Sequence, residues 1–118
     1  MQDFTTLLVW RKGHALTLSP YPITGFFPIQ ELFGLTSQIR RGAASIPANI
    51  AEGCGRAANS ELRQFPFISL GSASELQYHV LLTRDLNLLS DKQFAVLDPR
   101  IAEIKRMLFG LIERIKKS

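Results

Sequence analysis

Apolar residues recur every three or four positions along most of this 118-residue chain, which is the spacing of helices that bury one face. The clearest run follows Ser90-Asp91-Lys92-Gln93, whose composition is that of a helix-capping box. Its apolar seam consists of Phe94, Leu97, Ile101, Ile104, Leu108, Leu111 and Ile115. This seam predicts a helix packed as in a left-handed bundle. Asp98-Pro99 lies within it, but the unbroken spacing favours one bent helix.

A second long helix is predicted from Pro28, at its first position, to about Ala57. One face carries the larger apolar residues Leu32, Leu35, Ile39, Ile46 and Ile50. The opposite face carries small residues where a solvent-exposed surface normally carries charge: Ser37, Ala44, Ala48, Ala51 and Gly55. Small residues let another backbone approach closely, so we expect a second contact on this face. Its partner is either another helix of the bundle or a neighbouring subunit.

Pro47 lies inside this second helix and leaves the carbonyl of Ala43 without its usual N–H donor. Because the apolar spacing continues through Ile50, we expect a kink there and not the end of the helix. Ser45 and Asn49 are close enough in sequence to satisfy the freed backbone groups.

The first helix is predicted to begin near Asp3 or Thr5 and either to kink or to end early around Ser19, because two prolines, Pro20 and Pro22, follow. Its spacing directs one set of side chains into the core: Phe4, Leu7, Leu8, Ala15 and Leu18.

The third helix is predicted to begin with capping by Asn59 or Ser60 together with Glu61, although Pro66 can instead mark a later start. Its apolar stripe is formed by Phe65, Ile68, Leu82, Leu86 and Leu89. Ser72, Glu75 and His79 fall on the same stripe, which predicts a polar band across the core. Glu75 and His79, four residues apart, could form a metal site, an acid/base pair or a hydrogen-bonded network, and the lack of further ligands favours the network.

Composition restricts the possible functions. Fourteen Lys and Arg against ten Asp and Glu give a net charge of +4 and a pI near 9.6, which favours an anionic partner but is also found on ordinary solvated surfaces. The one cysteine, Cys54, excludes an internal disulfide and fits a reducing cytosol; without an identifiable base it is expected to pack. No secretory pattern and no membrane-length apolar run occurs, so a cytoplasmic location is predicted. The chain has no phosphate loop, no Cys/His metal spacing and no Ser/His/Asp set, so we expect neither an enzyme nor a bound metal or cofactor.

Two runs carry a family resemblance: Leu35-Thr36-Ser37-Gln38-Ile39-Arg40-Arg41 and Ser45-Ile46-Pro47-Ala48-Asn49-Ile50-Ala51-Glu52-Gly53. They resemble the signature of the four helix bundle protein family. Its members include proteins encoded in intervening sequences of bacterial large-subunit ribosomal RNA genes, and the family is similar to the accessory protein of diversity-generating retroelements. The similarity extends to Val9-Trp10, His14, Phe27-Pro28, Glu31, Gly71-Ser72, Glu75-Leu76, Met107-Leu108 and Gly110-Leu111.

The resemblance implies an all-α fold: an up-and-down antiparallel four-helix bundle with a long, Pro-kinked second helix, in a single domain spanning residues 1–118. It also implies a homopentameric ring and, from the retroelement accessory protein, binding of nucleic acid and of a reverse transcriptase. Pro20, Pro22 and Pro66 depart from the family pattern, and we expect them to change helix boundaries but not the fold.

The leading hypothesis is therefore a non-enzymatic, homo-oligomeric accessory protein that binds RNA or DNA. Its candidate phosphate contacts are Arg40, Arg41, Arg56, Arg63, Lys105, Arg106, Arg114, Lys116 and Lys117. The candidate interface between copies consists of Ser37, Ala44, Ala48, Ala51 and Phe109, where Phe109 is alternatively an ordinary surface aromatic. A second hypothesis is a protein-interaction scaffold, for example a reverse-transcriptase partner, without nucleic-acid binding of its own. A third is an enzyme or metal carrier that uses Glu75 and His79.

Overall fold

A computed structural model describes residues 3–19, 24–25, 27–55 and 64–117. Within these ranges the chain forms four α-helices and no strand: α1 (Leu8–Leu18), α2 (Ser37–Gly55), α3 (Phe65–Asp85) and α4 (Asp91–Lys117). Each helix packs against the next, and α4 also packs against α1, so α2 and α4 lie diagonally across the bundle. The four helices alternate in direction, because residue numbers rise along one helix of each pair as they fall along its neighbour. The expected all-α, up-and-down antiparallel four-helix bundle is confirmed.

Helix α4 follows the sequence prediction closely. Ser90 Oγ accepts a hydrogen bond from the Gln93 backbone N–H, and Gln93 Oε1 accepts one from the Ser90 N–H, both at 3.0 Å, so the capping box is formed. The helix continues through Pro99 as one element. The predicted seam is buried at Leu97, Ile101, Ile104 and Leu108, whereas Phe94 and Leu111 are half-buried; the side chain of Ile115 is not described.

Helix α1 ends with Ser19 at its C-terminal cap, as the following prolines predicted, but it begins at Leu8 and not near Asp3 or Thr5, where a 3₁₀ turn at Phe4–Thr6 precedes it. Leu7 packs against the core as predicted, but most of the predicted core face is wrong. The side chains of Leu8 and Leu18 are more than half exposed and Ala15 is exposed. The buried residues are Val9, Gly13 and Leu16. Gly13 is buried because α2 comes close there: a Cβ on Gly13 would lie 3.5 Å from Pro47 Cδ. A search for large apolar residues gives a glycine no weight and therefore selects the wrong face.

The segment before α2 is not one regular helix, contrary to the expectation of a helix from Pro28. A 3₁₀ turn at Ile29–Glu31 leads into an underwound turn at Leu32–Thr36, in which Gly34 has non-helical angles of φ −101° and ψ −111°. Regular α-helix begins at Ser37. From there the apolar face is confirmed, since Ile39, Ile46 and Ile50 are buried; Leu35 is half-buried, and the side chain of Leu32 is not described.

Helix α2 continues past Pro47, as its apolar spacing predicted. The carbonyl of Ala43, which loses its donor to the proline ring, accepts a hydrogen bond from Thr17 Oγ of α1 at 3.1 Å. The expectation that Ser45 and Asn49 take this role is wrong. Ser45 Oγ donates to the Gly42 carbonyl and Asn49 Nδ2 to the Ser45 carbonyl, so both side chains bond locally within α2.

Helix α3 begins at Phe65 with Pro66 in its first turn, which confirms the later start. The expected cap at Asn59, Ser60 and Glu61 lies outside the described residues. The predicted stripe holds at Phe65 and, beyond the helix end, at Leu89, but Ile68 and Leu86 are about half exposed and Leu82 is partly exposed. The face that is buried consists of Phe65, Pro66, Ser69, Ala73, Leu76, Val80 and Thr83.

The small residues on this face explain the error in α3. Ser69 and Ala73 are fully buried. The two helices lie close together, since a Cβ on Gly42 of α2 would be 3.7 Å from the Cβ of Leu76 in α3. Ser69 Oγ donates to the Ile46 carbonyl at 3.1 Å, one residue before Pro47. Hydroxyls from both neighbouring helices thus bond to the α2 backbone around its proline. In the described part of the chain, none of the helices is long and apolar enough to cross a membrane.

Candidate nucleic-acid interface

The C-terminal half of α4 presents the densest set of cations among the described residues. Arg106, Arg114 and Lys116 are exposed and Lys105 is partly buried; the side chain of Lys117 is not described. They reach the surface because the core seam occupies the opposite side of α4, where Ile104, Leu108 and Ile112 are at most 2% exposed. Because one face of α4 is buried in the core, the opposite, basic face points toward the solvent.

These cations differ in whether they form hydrogen bonds or ion pairs with other side chains of the protein. Lys105 Nζ donates to Gln77 Oε1 of α3 at 2.9 Å, and Gln77 Nε2 donates to Asp98 Oδ1 at 3.1 Å. Lys116 Nζ lies 3.8 Å from Glu113 Oε1. By contrast, Arg106 and Arg114 form no hydrogen bond or ion pair with any residue that the structure describes. Their guanidinium groups are the most available for an external anion.

The cations predicted on the second helix lie elsewhere. Arg41 is exposed, but Arg40 is partly buried and its Nε donates to Thr24 Oγ1 at 2.9 Å. Arg56 and Arg63 lie outside the described residues. Because α2 and α4 are diagonal in the bundle, Arg40 and Arg41 do not join the α4 cations in one continuous patch. Among the predicted cations that the structure describes, only the C-terminal set is brought together.

The residues predicted to contact another copy also divide between two surfaces. Ser37, Ala44 and Ala51 are half-buried along one flank of α2, and Ala48 is exposed there. We call these four residues the small-residue flank. Phe109 is 58% exposed on α4, the diagonal helix, so it belongs to a different surface of the protomer.

A groove between α3 and α4 surrounds Phe109. It has a volume of about 500 Å³ and is lined by Leu70 and Ser74 from α3 and by Lys105, Arg106, Phe109 and Gly110 from α4. We call it the Phe109 groove. The α3 wall of this groove was not predicted from the sequence, because the predicted core face of α3 was wrong. An exposed aromatic residue one turn after a Lys-Arg pair was the available signal for this site.

The prediction of a polar band across the core is wrong. Glu75 is exposed, and Ser72 and His79 are only partly buried, so the buried polar side chains of α3 are instead Ser69 and Thr83. His79 Nδ1 is buried and has no hydrogen-bond partner among the described residues. The same residues contain no group of three or more His, Cys, Asp or Glu placed to hold a metal ion.

Cys54 is buried at the end of α2, where the sequence predicted a packing role. Burial raises the pKa of its thiol, and the negative charge of Asp3 raises that pKa further. Both effects disfavour the thiolate, the form that a cysteine nucleophile requires.

The fold and this surface define the class of the protein: an all-α bundle with a basic helix and an apolar groove beside it. The chain belongs to the 23S rRNA-intervening sequence protein family, whose model matches residues 5–110. The predicted family resemblance is thereby confirmed.

A solved structure has the same fold. A protein of unknown function from the S23 ribosomal protein family of Bacteroides thetaiotaomicron superimposes with a TM-score of 0.80 at 23% sequence identity. The match covers 89% of this chain and 98% of that one. Among curated proteins, none matches the sequence. The structural likeness supports the fold alone, because identity is low.

Proposed function

We propose that this protein is a non-enzymatic, homo-oligomeric accessory protein that binds nucleic acid through the cations of α4. The observation that carries the proposal is the pair of exposed guanidinium groups, Arg106 and Arg114, that the described part of the chain leaves without an ion pair. Lys105, held by Gln77, adds a third positive charge at a fixed position. Guanidinium and ammonium groups form charge-assisted hydrogen bonds with phosphates, and such contacts carry no base-sequence information directly.

Removing two of these cations tests the proposal. The Arg106→Gln/Arg114→Gln double variant should bind duplex DNA more weakly than the parent. The slope of log affinity against log salt concentration should become shallower by roughly 1.8, because a complex with two fewer phosphate contacts releases fewer counterions. Fluorescence anisotropy of a labelled duplex over a series of salt concentrations measures both quantities.

A charge-matched control separates local contacts from net charge. Lys92→Gln/Arg100→Gln removes two exposed cations from the other half of α4 and should leave the salt slope close to that of the parent. Equal slopes for both double variants would mean that overall charge alone drives binding. Absence of binding by the parent at every salt concentration would refute the proposed function.

Assembly into a ring would strengthen such binding, because each copy adds a net charge of +4 to a shared field. The small-residue flank supports a contact between copies, since residues such as Ala48 on an exposed helix face let a second backbone approach. In a cyclic ring, each protomer contacts its two neighbours through two different surfaces. The flank would supply one of them in the pentamer that we favour.

Ala48→Leu is expected to abolish this assembly and to leave the protomer folded. Ala48 is exposed within the protomer, so the larger side chain meets no intramolecular obstacle, but it would separate two closely packed helices. Light scattering coupled to size exclusion measures the mass of the assembly. Ala95→Leu, at an exposed position of α4, is the control. An assembly of unchanged mass in Ala48→Leu would place the flank outside the interface.

A second candidate function is a protein-interaction scaffold, for example one that docks a reverse transcriptase. It is favoured by a smaller groove of about 320 Å³ farther along α3 and α4, lined by Ser74, Gln77, Tyr78, Leu81, Phe94 and Asp98. Tyr78 is 58% exposed there. Recovery of a specific protein partner together with an absence of nucleic-acid binding would favour the scaffold.

A further inference from the structure

The Phe109 ring occupies an unusual surface position. Single exposed apolar residues are common on proteins, but this ring lines a shallow, open groove and is bordered by two cations. Arg106 and Lys105 precede it by three and four residues on α4, so they lie about one helical turn away on the same side. The groove therefore combines an accessible aromatic face with adjacent positive charge.

We propose that the Phe109 groove binds single-stranded nucleic acid, with one base stacked on the Phe109 ring and a neighbouring phosphate on Arg106. This inference rests on the nucleic-acid binding proposed above and specifies the strandedness of the ligand and the side chain that contacts a base. A base in a duplex is already stacked on its neighbours, so its face is closed to a protein ring, whereas a base in a single strand is available.

The polar contacts around the groove agree with this arrangement. The Gln77 amide holds Lys105 Nζ against α3 at 2.9 Å, so its charge stays at the rim while the Arg106 side chain remains unpaired within the described chain. The fixed ammonium group and the available guanidinium group both lie on the N-terminal side of the ring. A phosphate next to the stacked base can therefore be contacted without moving a helix.

The acidic groups nearby do not reverse the charge. Glu113 follows Phe109 by one turn, and Lys116 lies 3.8 Å from its carboxylate. Glu103 is paired with Lys12 of α1 at 2.6 Å. Both carboxylates on this part of α4 thus have a cation beside them. The charge of Arg106 also helps to lower the pKa of Glu103, but Lys12 is the closer partner of that carboxylate, and neither Arg106 nor Arg114 forms an ion pair in the described chain.

A second copy of the chain fits the groove less well than a nucleic acid does. The small-residue flank has no acidic member, and its neighbours on α2 include exposed Arg41 and Glu52 and the partly buried Arg40, so it is not an anionic surface. A single strand brings one negative charge per nucleotide and an unpaired aromatic base at each step. Charge complementarity therefore favours single-stranded nucleic acid over a second copy of the chain as the ligand of the Phe109 groove.

The test compares Phe109→Leu with the parent on a labelled thymidine oligonucleotide of about 12 residues and on a duplex of the same length. Leucine keeps the position apolar but removes the ring. The Kd for the single strand should rise by about tenfold, as expected for the loss of one stacked base, and the Kd for the duplex should change by less than about twofold. The salt slope for the single strand should stay unchanged, because no phosphate contact is lost.

Matched variants make the outcome specific. Phe67→Leu replaces another half-exposed phenylalanine, one that does not line the groove, and should alter neither Kd. Arg106→Gln should lower the single-strand salt slope by roughly 0.7. Circular dichroism checks that Phe109→Leu is folded, which its exposure at position 109 leads us to expect.

Three results would overturn the inference. Equal changes in Kd for single strand and duplex would mean that Phe109 does not stack a base. A smaller assembly mass without a selective loss of single-strand binding would place Phe109 at the contact between copies. Unchanged binding of both ligands by Phe109→Leu would show that the ring does not contact the nucleic acid, and the proposed function would still stand. If the parent binds neither ligand, the proposed function itself is refuted.

Discussion

Gly53→Ala is expected to destabilise the protein by about 3 kcal/mol, the upper end of the usual cost of overpacking a core. Gly53 lies in the last turn of α2 and faces Phe65, the first residue of α3, which is 7% exposed. A Cβ on Gly53 would lie 2.6 Å from Phe65 Cβ and would overlap the ring atoms Cγ and Cδ1. Since the Cβ of Phe65 moves only with its backbone, the two helix ends would have to separate.

Gly71→Ala, in contrast, is expected to stabilise the protein. Gly71 lies inside α3, and a Cβ there would meet no atom within 4 Å. Alanine should therefore stabilise the protein by about 0.5–1 kcal/mol, because glycine loses more backbone freedom than alanine when a helix forms. Urea unfolding followed by circular dichroism gives both values. Equal stability of the Gly53→Ala variant and the parent would contradict the close contact between α2 and α3.

Thr17→Val is expected to cost about 1–2 kcal/mol, because valine keeps the shape of threonine but leaves the Ala43 carbonyl without its donor. The Thr17 hydroxyl has one hydrogen, which it shares between the carbonyls of Gly13 at 2.8 Å and Ala43 at 3.1 Å. The Gly13 carbonyl belongs to an unbroken helix, whereas that of Ala43 has lost its N–H partner to Pro47. The loss at Ala43 should therefore dominate.

A double-mutant cycle with Pro47→Ala isolates this effect. Alanine at position 47 restores an N–H that can bond to the Ala43 carbonyl, so Thr17→Val should cost less than about 0.5 kcal/mol in that background. The difference between the two costs, measured by urea unfolding, is the coupling between the hydroxyl and the proline. A coupling close to zero would show that Thr17 does not compensate for the missing N–H.

The sequence predicted most of α4 correctly because its core positions are large and branched and follow a regular seam. Beyond Leu108 the buried position is Ile112 and not the predicted Leu111. The sequence failed on the core faces of α1 and α3 for one physical reason: both helices meet α2 through small residues. Gly13, Ser69 and Ala73 are buried because backbones approach one another, and no hydropathy pattern carries that information.

The candidate site was predictable to a similar extent. Lys105, Arg106 and Phe109 could be recognised as a basic and aromatic surface from the spacing in α4. Their pairing could not, because it depends on residues from other helices: Gln77 holds Lys105, and Leu70 forms the facing wall of the groove. These contacts arise from the packing of α3 on α4 and are absent from the local sequence of either helix.

The contacts of α1 with α2 have a consequence for movement within the bundle. The Thr17 hydroxyl meets the one carbonyl of α2 that its proline leaves free, and Gly13 meets that proline one turn earlier. If α1 shifted its register against α2 by one residue, the position of Thr17 would be taken by a neighbour, and to face α2 that neighbour would need a rotation of α1 by about 100°. The Thr17 hydroxyl would then no longer reach that carbonyl. Sliding is therefore opposed by about the 1–2 kcal/mol assigned to the Thr17 hydroxyl, so we expect α1 and α2 to keep their axial register on ligand binding or assembly.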